Sequence, residues 1–456
     1  MPHIRPHTAF VVLATCFGLL FLLFTPPGQS PDDAEHFFRA YQISTGDWMA
    51  TLENNLIGGH LPEDLSVISK LVPRGIHGRQ QLPADVLRYI HTDRSSEGSG
   101  KTMFFQFPNM ALNTPIPYLP QVLGITIGKA FDASPIALGY LARLANLVAW
   151  ISIVFVAIKT IPMSKWLMLV VALMPISLFL ATSTSADALT YALCFLFIAV
   201  VMNLAFGASP LTGQSLLALS ALCVLVTVSK IIYIPLILLV LLLPRSKFRS
   251  KQRHLAYMAL CFGLVFTVTL LWMVAIRDLH LPVNPGQTAD PSGQVSFIIA
   301  DPFRFLSIVA STIVNHFFYL AWQLIGVLGW LDTHLPKWFY LVSYATIGLV
   351  SLSDWTPNIK LSHWSKLIIL AVVAFGTLMV FTGIYIRWTP VGGALVTGMQ
   401  GRYFIPLSLL FWLLFYRLKE FDEQKSERYL SLPIVVFCTG TLGYVSWLLL
   451  NRYYII

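Results

Sequence analysis

The sequence predicts an all-α integral membrane protein with about eleven transmembrane helices and a large hydrophilic insertion after the first. Three observations carry that prediction. Of 456 residues only 11% are charged and 56% are apolar, whereas ordinary globular proteins are about 25% charged. Mean hydropathy is +0.71. Apolar runs of membrane-spanning length recur along the chain, from Ala9 to Leu450. The alternating strand pattern of a barrel is absent, so helices carry the fold. Cys16, Cys194, Cys223, Cys261 and Cys438 each lie inside an apolar run, where a thiol acts as a small hydrophobe, and no disulfide framework or zinc spacing is present.

The first apolar segment, Ala9 to Phe24, follows Arg5 and has no A-x-A cleavage site behind it in TPPGQSPDD. It reads as an uncleaved anchor with its N-terminus in the cytoplasm. Further spans are expected at Ile136 to Ile158, Trp166 to Ala181, Ala186 to Ala205, Gln214 to Val228 and Ile231 to Leu243. The remainder are Leu255 to Ile276, Lys337 to Leu352, Leu367 to Ile386, Tyr403 to Tyr416 and Leu432 to Leu450. The chain thus divides into residues 1–24, the N-terminus and first span; 25–135, an outer segment with interfacial helices; and 136–456, a multi-helix transmembrane domain. Within the outer segment, Thr25 to Asn113 reads as short helices and turns. Asn113 to Phe131, rich in proline and interrupted by Gln121 and Lys129, belongs in the outer interface. Phe303 to Leu331 holds Asn315, His316 and Gln323; it reads as a re-entrant, interfacial or paired short-helix element with both ends outside.

Charge sets the orientation, because cytoplasmic loops are enriched in Lys and Arg. The proposed inner segments are the N-terminus, Lys159 to Lys165, Phe206 to Gly213, Pro244 to His254, Asp354 to Lys366 and Arg417 to Arg428. They hold fourteen basic and five acidic residues, which is the whole formal excess of +9. The run RSKFRSKQRH is the strongest marker and forces Gln214 to Leu243 to cross twice, with Lys230 at the outer turn. The basic balance therefore faces anionic lipid and is no nucleic-acid footprint. The inner loops read as solvated charge runs, and the C-terminus falls outside.

Polar groups at membrane depth are costly and mark candidate sites. In this topology Asp32, Asp33, Glu35, His36, Asp187, Lys230, Tyr233, Asp332, Arg387 and Arg402 all fall on the outer side. The densest constellation is Ser30 to Arg39, SPDDAEHFFR. Ser30 reads as an N-cap, Pro31 as the first helical residue and Asp33 as the third. Asp32, His36 and Arg39 then share one helix face. A helix dipole favours acidic residues in a first turn without any catalytic task; position at the membrane surface favours a function. A divalent cation on Asp32, Asp33, Glu35 and His36 is the metal reading, since hard oxygens plus imidazole suit such an ion. Arg402 opens a span in GMQGRYFIPL beside Tyr403 and reads as a guanidinium fork for phosphate. Gly398 and Gly401 would let backbone approach that ligand, and Arg387 stands at the other end of the same loop. Lys230 reads equally as a turn lysine, Asp187 as a helix cap, and Asp332 as a turn residue.

Several segments together resemble a bacterial membrane family, domain of unknown function 2142. PDDAEHFFRAYQISTG is similar to its P-D-E-x-x-H-F-x-R-A signature after the first span. MPISLFLATSTSADAL, SKIIYIPL, LIGVLGWLDTHLP and GMQGRYFIPL resemble four further segments in family order, from Pro31 to Leu407. That family in turn resembles the GT-C glycosyltransferases, polytopic enzymes that take sugars from polyprenyl-phosphate carriers at the outer membrane face. The resemblance implies a GT-C-like fold and an inverting hexosyl- or pentosyltransferase in the bacterial cytoplasmic membrane, active on a glycan or lipid acceptor in the cell envelope. It places the catalytic base on Asp32 or Asp33; the family pattern has Glu where this chain has Asp33, one methylene shorter. His36, Arg39, Lys230, Tyr233, Asp332, Arg387, Arg402 and Tyr403 would then meet substrate. The alternative is a transporter or flippase of lipid-linked saccharides, whose marks are paired repeats and interrupted spans at the midplane. No internal repeat is evident.

Overall fold

In the computed structural model of the chain, residues 4–71, 100–279, 289–354, 356, 359–416 and 423–454 are described. Residues 72–99 of the insertion after the first span and 417–422 of the basic segment from Arg417 to Arg428 lie outside the described residues.

The protein is an all-α membrane protein whose helices come where the apolar runs put them. In chain order they are α1 (Pro6–Phe24), α2 (Asp33–Ser44), α3 (Ser66–Lys70), α4 (Leu119–Lys129), α5 (Pro135–Thr160), α6 (Lys165–Ala172), α7 (Pro175–Ala181) and α8 (Asp187–Phe206). Then follow α9 (Gly213–Ser229), α10 (Lys251–Ala275), α11 (Pro291–Ala300), α12 (Pro302–Gly326), α13 (Lys337–Ser353), α14 (His363–Trp388), α15 (Ile405–Leu413) and α16 (Glu423–Tyr454). Seven of them are long and apolar enough to cross a membrane: α1, α5, α8, α10, α12, α14 and Leu430–Tyr454 of α16. Local sequence starts them. Ser134, Ser250 and Ser362 cap α5, α10 and α14 through their side chains, and Thr212 with Ser215 forms a capping box on α9.

Three expected elements take a different form. The segment Trp166 to Ala181 is two short helices, because Pro175 has no N–H to continue α6 and instead opens α7. Ile231–Leu242 is a 3-10 helix around Pro235; at about 2.0 Å rise per residue its twelve residues reach further than an α-helix of that length. Phe303 to Leu331 is neither paired short helices nor a re-entrant turn over most of its length, but the single helix α12 followed by a hairpin. That helix runs beside the 385–401 stretch: Phe305 packs on Tyr385 with ring centroids 5.3 Å apart, and Thr312 Oγ1 accepts from Val396 N–H at 2.9 Å. Near its end Gln323 Oε1 accepts from Gly401 N–H at 2.7 Å.

The outer segment also holds a small sheet absent from the sequence reading. Strands β1 (Thr51–Glu53), β2 (Leu56–Pro62) and β3 (Thr102–Gln106) pair antiparallel in that order. Asn54 and Asn55, both left-handed, make the two-residue turn. The sheet packs on α2 around Phe38, Ile57, Leu61 and Phe105.

Inside the bundle, the 182–186 stretch between α7 and α8 is unwound, and side chains take up its carbonyls. Arg143 on α5, 1% exposed, donates from Nε to Thr182 O at 2.6 Å and from Nη2 to Leu22 O at 3.2 Å. Asn146 donates to Ser183 O and Ser185 O, and Gln121 to Thr184 O and Ser185 O. Arg143 thus caps the C-terminal ends of α1 and α7 together, where a cation also meets both helix dipoles. Arg143→Met should lower unfolding stability in detergent by ~3 kcal/mol, the loss of two charge-assisted hydrogen bonds to carbonyls that stay buried. A midpoint equal to wild type would contradict that role.

The charges of the loops expected on the inner side are likewise more than solvated runs. Lys247 Nζ donates to Leu204 O in the last turn of α8 and to Gly207 O and Ser209 O beyond it, and Lys366 Nζ to Leu414 O and Tyr416 O beyond α15. Asp354 accepts from Leu167 N–H in the first turn of α6.

Candidate active site

Four separate segments converge at one place: the turn before α2, the first residue of α8, the junction of α9 with the 3-10 helix, and the 3-10 turn Gly401–Phe404. At the centre is Asp187, 3% exposed. Its Oδ1 accepts from Lys230 Nζ at 2.6 Å, and its Oδ2 lies 3.8 Å from Arg402 Nε. Arg402 Nη2 lies 3.6 Å from Asp32 Oδ2. Arg402 is 4% exposed, and its Nε and Nη1 have no hydrogen-bond partner. Both cations flank the Tyr403 ring, with Lys230 Nζ at 5.0 Å and the Arg402 guanidinium carbon at 5.4 Å from its centroid. A buried arginine and a partly exposed lysine are therefore held by a buried carboxylate, and the arginine also reaches a more open one.

The adjacent carboxylates Asp32 and Asp33 have opposite surroundings. Asp33 is buried and its oxygens are occupied: Oδ2 accepts from Gly28 N–H at 2.8 Å, and Oδ1 accepts from Thr184 N–H at 2.9 Å and Thr184 Oγ1 at 2.5 Å. It ties the chain behind α1 to the unwound stretch. Asp32 keeps 32% of its side chain exposed. The expected helix start is also shifted. The helix opens at Asp33, and Asp32 stands before it in the left-handed conformation with φ 62°, making no side-chain cap. Asp33 turning back to Gly28 takes the carboxylate that a capping box would have used.

Behind them, His36 Nδ1 lies 2.9 Å from the Tyr118 hydroxyl, which accepts from Asn113 Nδ2 at 3.2 Å. Burial lowers the His36 pKa from 6.5 to about 4 against the pull of Asp32 and Asp187. Burial, helped by the Asp32 charge, raises Glu35 from 4.5 to about 8. Their pH effects have opposite signs. An unfolded chain binds the His36 proton more readily, so that share of stability falls as pH drops from 6.5 toward 4. The folded chain keeps the Glu35 proton, so that share falls as pH rises from 4.5 toward 8. Above pH 6.5 Glu35 acts alone, and unfolding stability should decline by up to about 1.4 kcal/mol per pH unit. Glu35→Gln should flatten that arm in thermal unfolding followed across pH; a slope that survives would count against a buried acid.

Of the other expected site residues, Arg39 does not join the cluster. It is wholly buried and fixes the chain after α2, donating to Gln42 Oε1 at 2.6 Å and Trp48 O at 2.8 Å. Tyr233 donates to Tyr403 O at 2.9 Å and supports the cluster from below. Asp332 pairs with Arg452 at 2.7 Å, and Arg387 Nη2 donates to Asn109 Oδ1 at 3.3 Å; neither bonds to the Asp187 group. Gly401 serves another purpose than ligand approach: a Cβ there would sit 2.1 Å from Leu320 O, so glycine lets this turn press on α12. Among the described residues no three of His, Cys, Asp and Glu come together to hold a metal ion. The metal reading fails at Asp33, whose oxygens point to Gly28 and Thr184. Tyr118, Asn113 and Thr184 are contributors that the sequence reading did not name, and Asp187, read there as an outer polar residue or a helix cap, is the centre of the group; the hydroxyl run TSTS before it was the available signal.

Beside the cluster lies an apolar cavity of about 680 Å³ between α12, α13, α14 and α15, lined by Phe317, Leu320, Trp322, Tyr344, Phe404 and Phe411 among others. Phe404 is two residues from Arg402, and Leu320 carries the carbonyl against Gly401.

A family model described as "Predicted membrane protein (DUF2142)" matches residues 15–411. Among curated proteins, none matches. Among solved structures, the crystal structure of ArnT from Cupriavidus metallidurans in the apo state aligns over 96% of this chain and 78% of that one, with 13% identity and a TM-score of 0.35. A likeness of that size assigns neither fold nor function.

Proposed function

We propose that this chain, which belongs to the DUF2142 family of predicted membrane proteins, is a glycosyltransferase that moves a sugar from a polyprenyl-phosphate carrier to a glycan or lipid acceptor at the outer face of the bacterial cytoplasmic membrane. The observation that carries the reading is the meeting of Asp32, Arg402, Asp187 and Lys230 beside an apolar cavity. Asp32, reachable from water, takes the proton of an acceptor hydroxyl as that oxygen attacks the anomeric carbon. The bond from that carbon to the phosphate oxygen breaks, and the electron pair leaves with the carrier phosphate. Arg402 and Lys230 meet the charge that develops there, held in place beforehand by Asp187. The carrier tail occupies the cavity beside Phe404, a volume suited to hydrocarbon. His36 keeps Tyr118 and the first turn of α2 in register, and Asp33 anchors that turn.

Purified protein in lipid nanodiscs, given a radiolabelled polyprenyl-phosphate sugar and an extract of envelope glycans and lipids, should release the free carrier and label an acceptor. Carrier that stays fully glycosylated would sink the reading.

A further inference from the structure

The Asp332 motif, GWLDTHLP, takes no part in the chemistry above, yet it is built into the molecule through its own set of contacts. After α12 the chain makes a tight hairpin, β4 (Val327–Leu328) with β5 (Thr333–His334), turning through the left-handed residues Gly329 and Leu331. Asp332 Oδ2 accepts from Arg452 Nη2 at 2.7 Å, and Thr333 Oγ1 accepts from Arg452 Nη1. Both partners of the ion pair have side chains only 12% exposed. From the tip of the same hairpin, Trp330 Nε1 donates to Gly28 O at 3.0 Å. Gly28 is the residue whose N–H Asp33 accepts. At the end of α16, Tyr454 donates to Leu23 O in the last turn of α1. Arg452 lies beyond the 15–411 matched by the family model, whereas Trp330, Asp332 and Gly28 lie within it.

We infer that the end of α16 is a clasp on the acidic turn: Arg452 fixes the hairpin, Trp330 fixes Gly28, and Gly28 with Asp33 fixes where Asp32 stands. Arg452 and Trp330 are thereby positioning residues. The geometry favours this over a bland surface pairing because each link is a specific, largely buried hydrogen bond, and because Gly28 is held on both its faces, carbonyl by Trp330 and N–H by Asp33. The effect on turnover rests on the transferase reading; the effect on the turn itself does not.

Amide hydrogen exchange of the protein in lipid nanodiscs separates the two. Compared with wild type, Arg452→Met and Trp330→Phe should each speed exchange of the Gly28, Gln29, Ser30, Asp32 and Asp33 amides within 26–33 about ten-fold, the effect of losing one hydrogen bond of ordinary net strength, while α5 exchanges as before. Trp330→Phe keeps the ring and removes only the N–H, so it remains informative if Arg452→Met does not fold. Unchanged exchange at 26–33 in a folded variant overturns the clasp, and so does equal acceleration across α5, which marks general loosening. In the transfer assay both variants should lower kcat and leave KM for the carrier near wild type; faster exchange with an unaltered kcat overturns the positioning role. Wild-type protein that transfers nothing would fail the function reading and leave the exchange result to decide the clasp.

Discussion

Asp32→Asn is expected to give folded protein with a wild-type unfolding midpoint and sugar transfer reduced by roughly 10²–10⁴-fold, the range for removal of a positioned general base. The neighbouring change should do the reverse in kind. Asp33→Asn replaces one of two accepting oxygens by a donor, so either Gly28 N–H or the Thr184 pair loses its acceptor inside the protein. That costs about 1–3 kcal/mol of stability, with a smaller loss of transfer than in Asp32→Asn, because the brace on the turn is loosened while the base itself remains. The two variants are isosteric with wild type and one residue apart, so comparing midpoint with turnover separates a base from a brace. Equal turnover in Asp32→Asn and wild type would refute the assignment of the base.

Asp187→Asn is expected to be the most destabilising single change in the cluster. It leaves Arg402 and Lys230 without the carboxylate that lies 3.8 Å and 2.6 Å from them. Removing one partner of a buried pair strands the other and costs about 3–5 kcal/mol. Lys230→Gln in the same background should recover part of that loss, because it removes one of the stranded cations, and the non-additivity of the double variant measures the coupling. Thermal unfolding of the single and double variants decides this. An unshifted midpoint for Asp187→Asn would mean that water or lipid already screens the pair.

Much of the architecture was legible because lipid leaves few options. Uninterrupted apolar runs with Ser or Thr at their starts became α5, α9, α10 and α14, and Pro175 divided a run where a missing N–H must divide it. What could not be read were pairings between distant segments. Asp32 and Asp33 are chemically alike in sequence; Thr184, 151 residues away, helps to distinguish them, occupying the Asp33 carboxylate together with Gly28 N–H. Asp187 looked like a helix cap because a carboxylate at a first turn is common, and its two cations come from Lys230 and from Arg402. The helical face proposed for Asp32, His36 and Arg39 was undone by a single backbone angle: a left-handed Asp32 lies outside the helix that would have aligned the three. Arg402 and Lys230 stood out as candidates because membrane-boundary cations are few in so apolar a chain, and the fold brings both to Asp187.

The hydrogen bond from Trp330 to Gly28 joins residues 302 positions apart. During synthesis the turn carrying Asp32 therefore leaves the ribosome long before its keeper does. At about 5–20 residues per second the wait is roughly 15–60 s. A nascent chain in the translocon has its first span and its candidate base exposed for that interval, but without the contacts that hold them in working order. The full set of contacts on that turn is complete only when the hairpin and the final helices have been made.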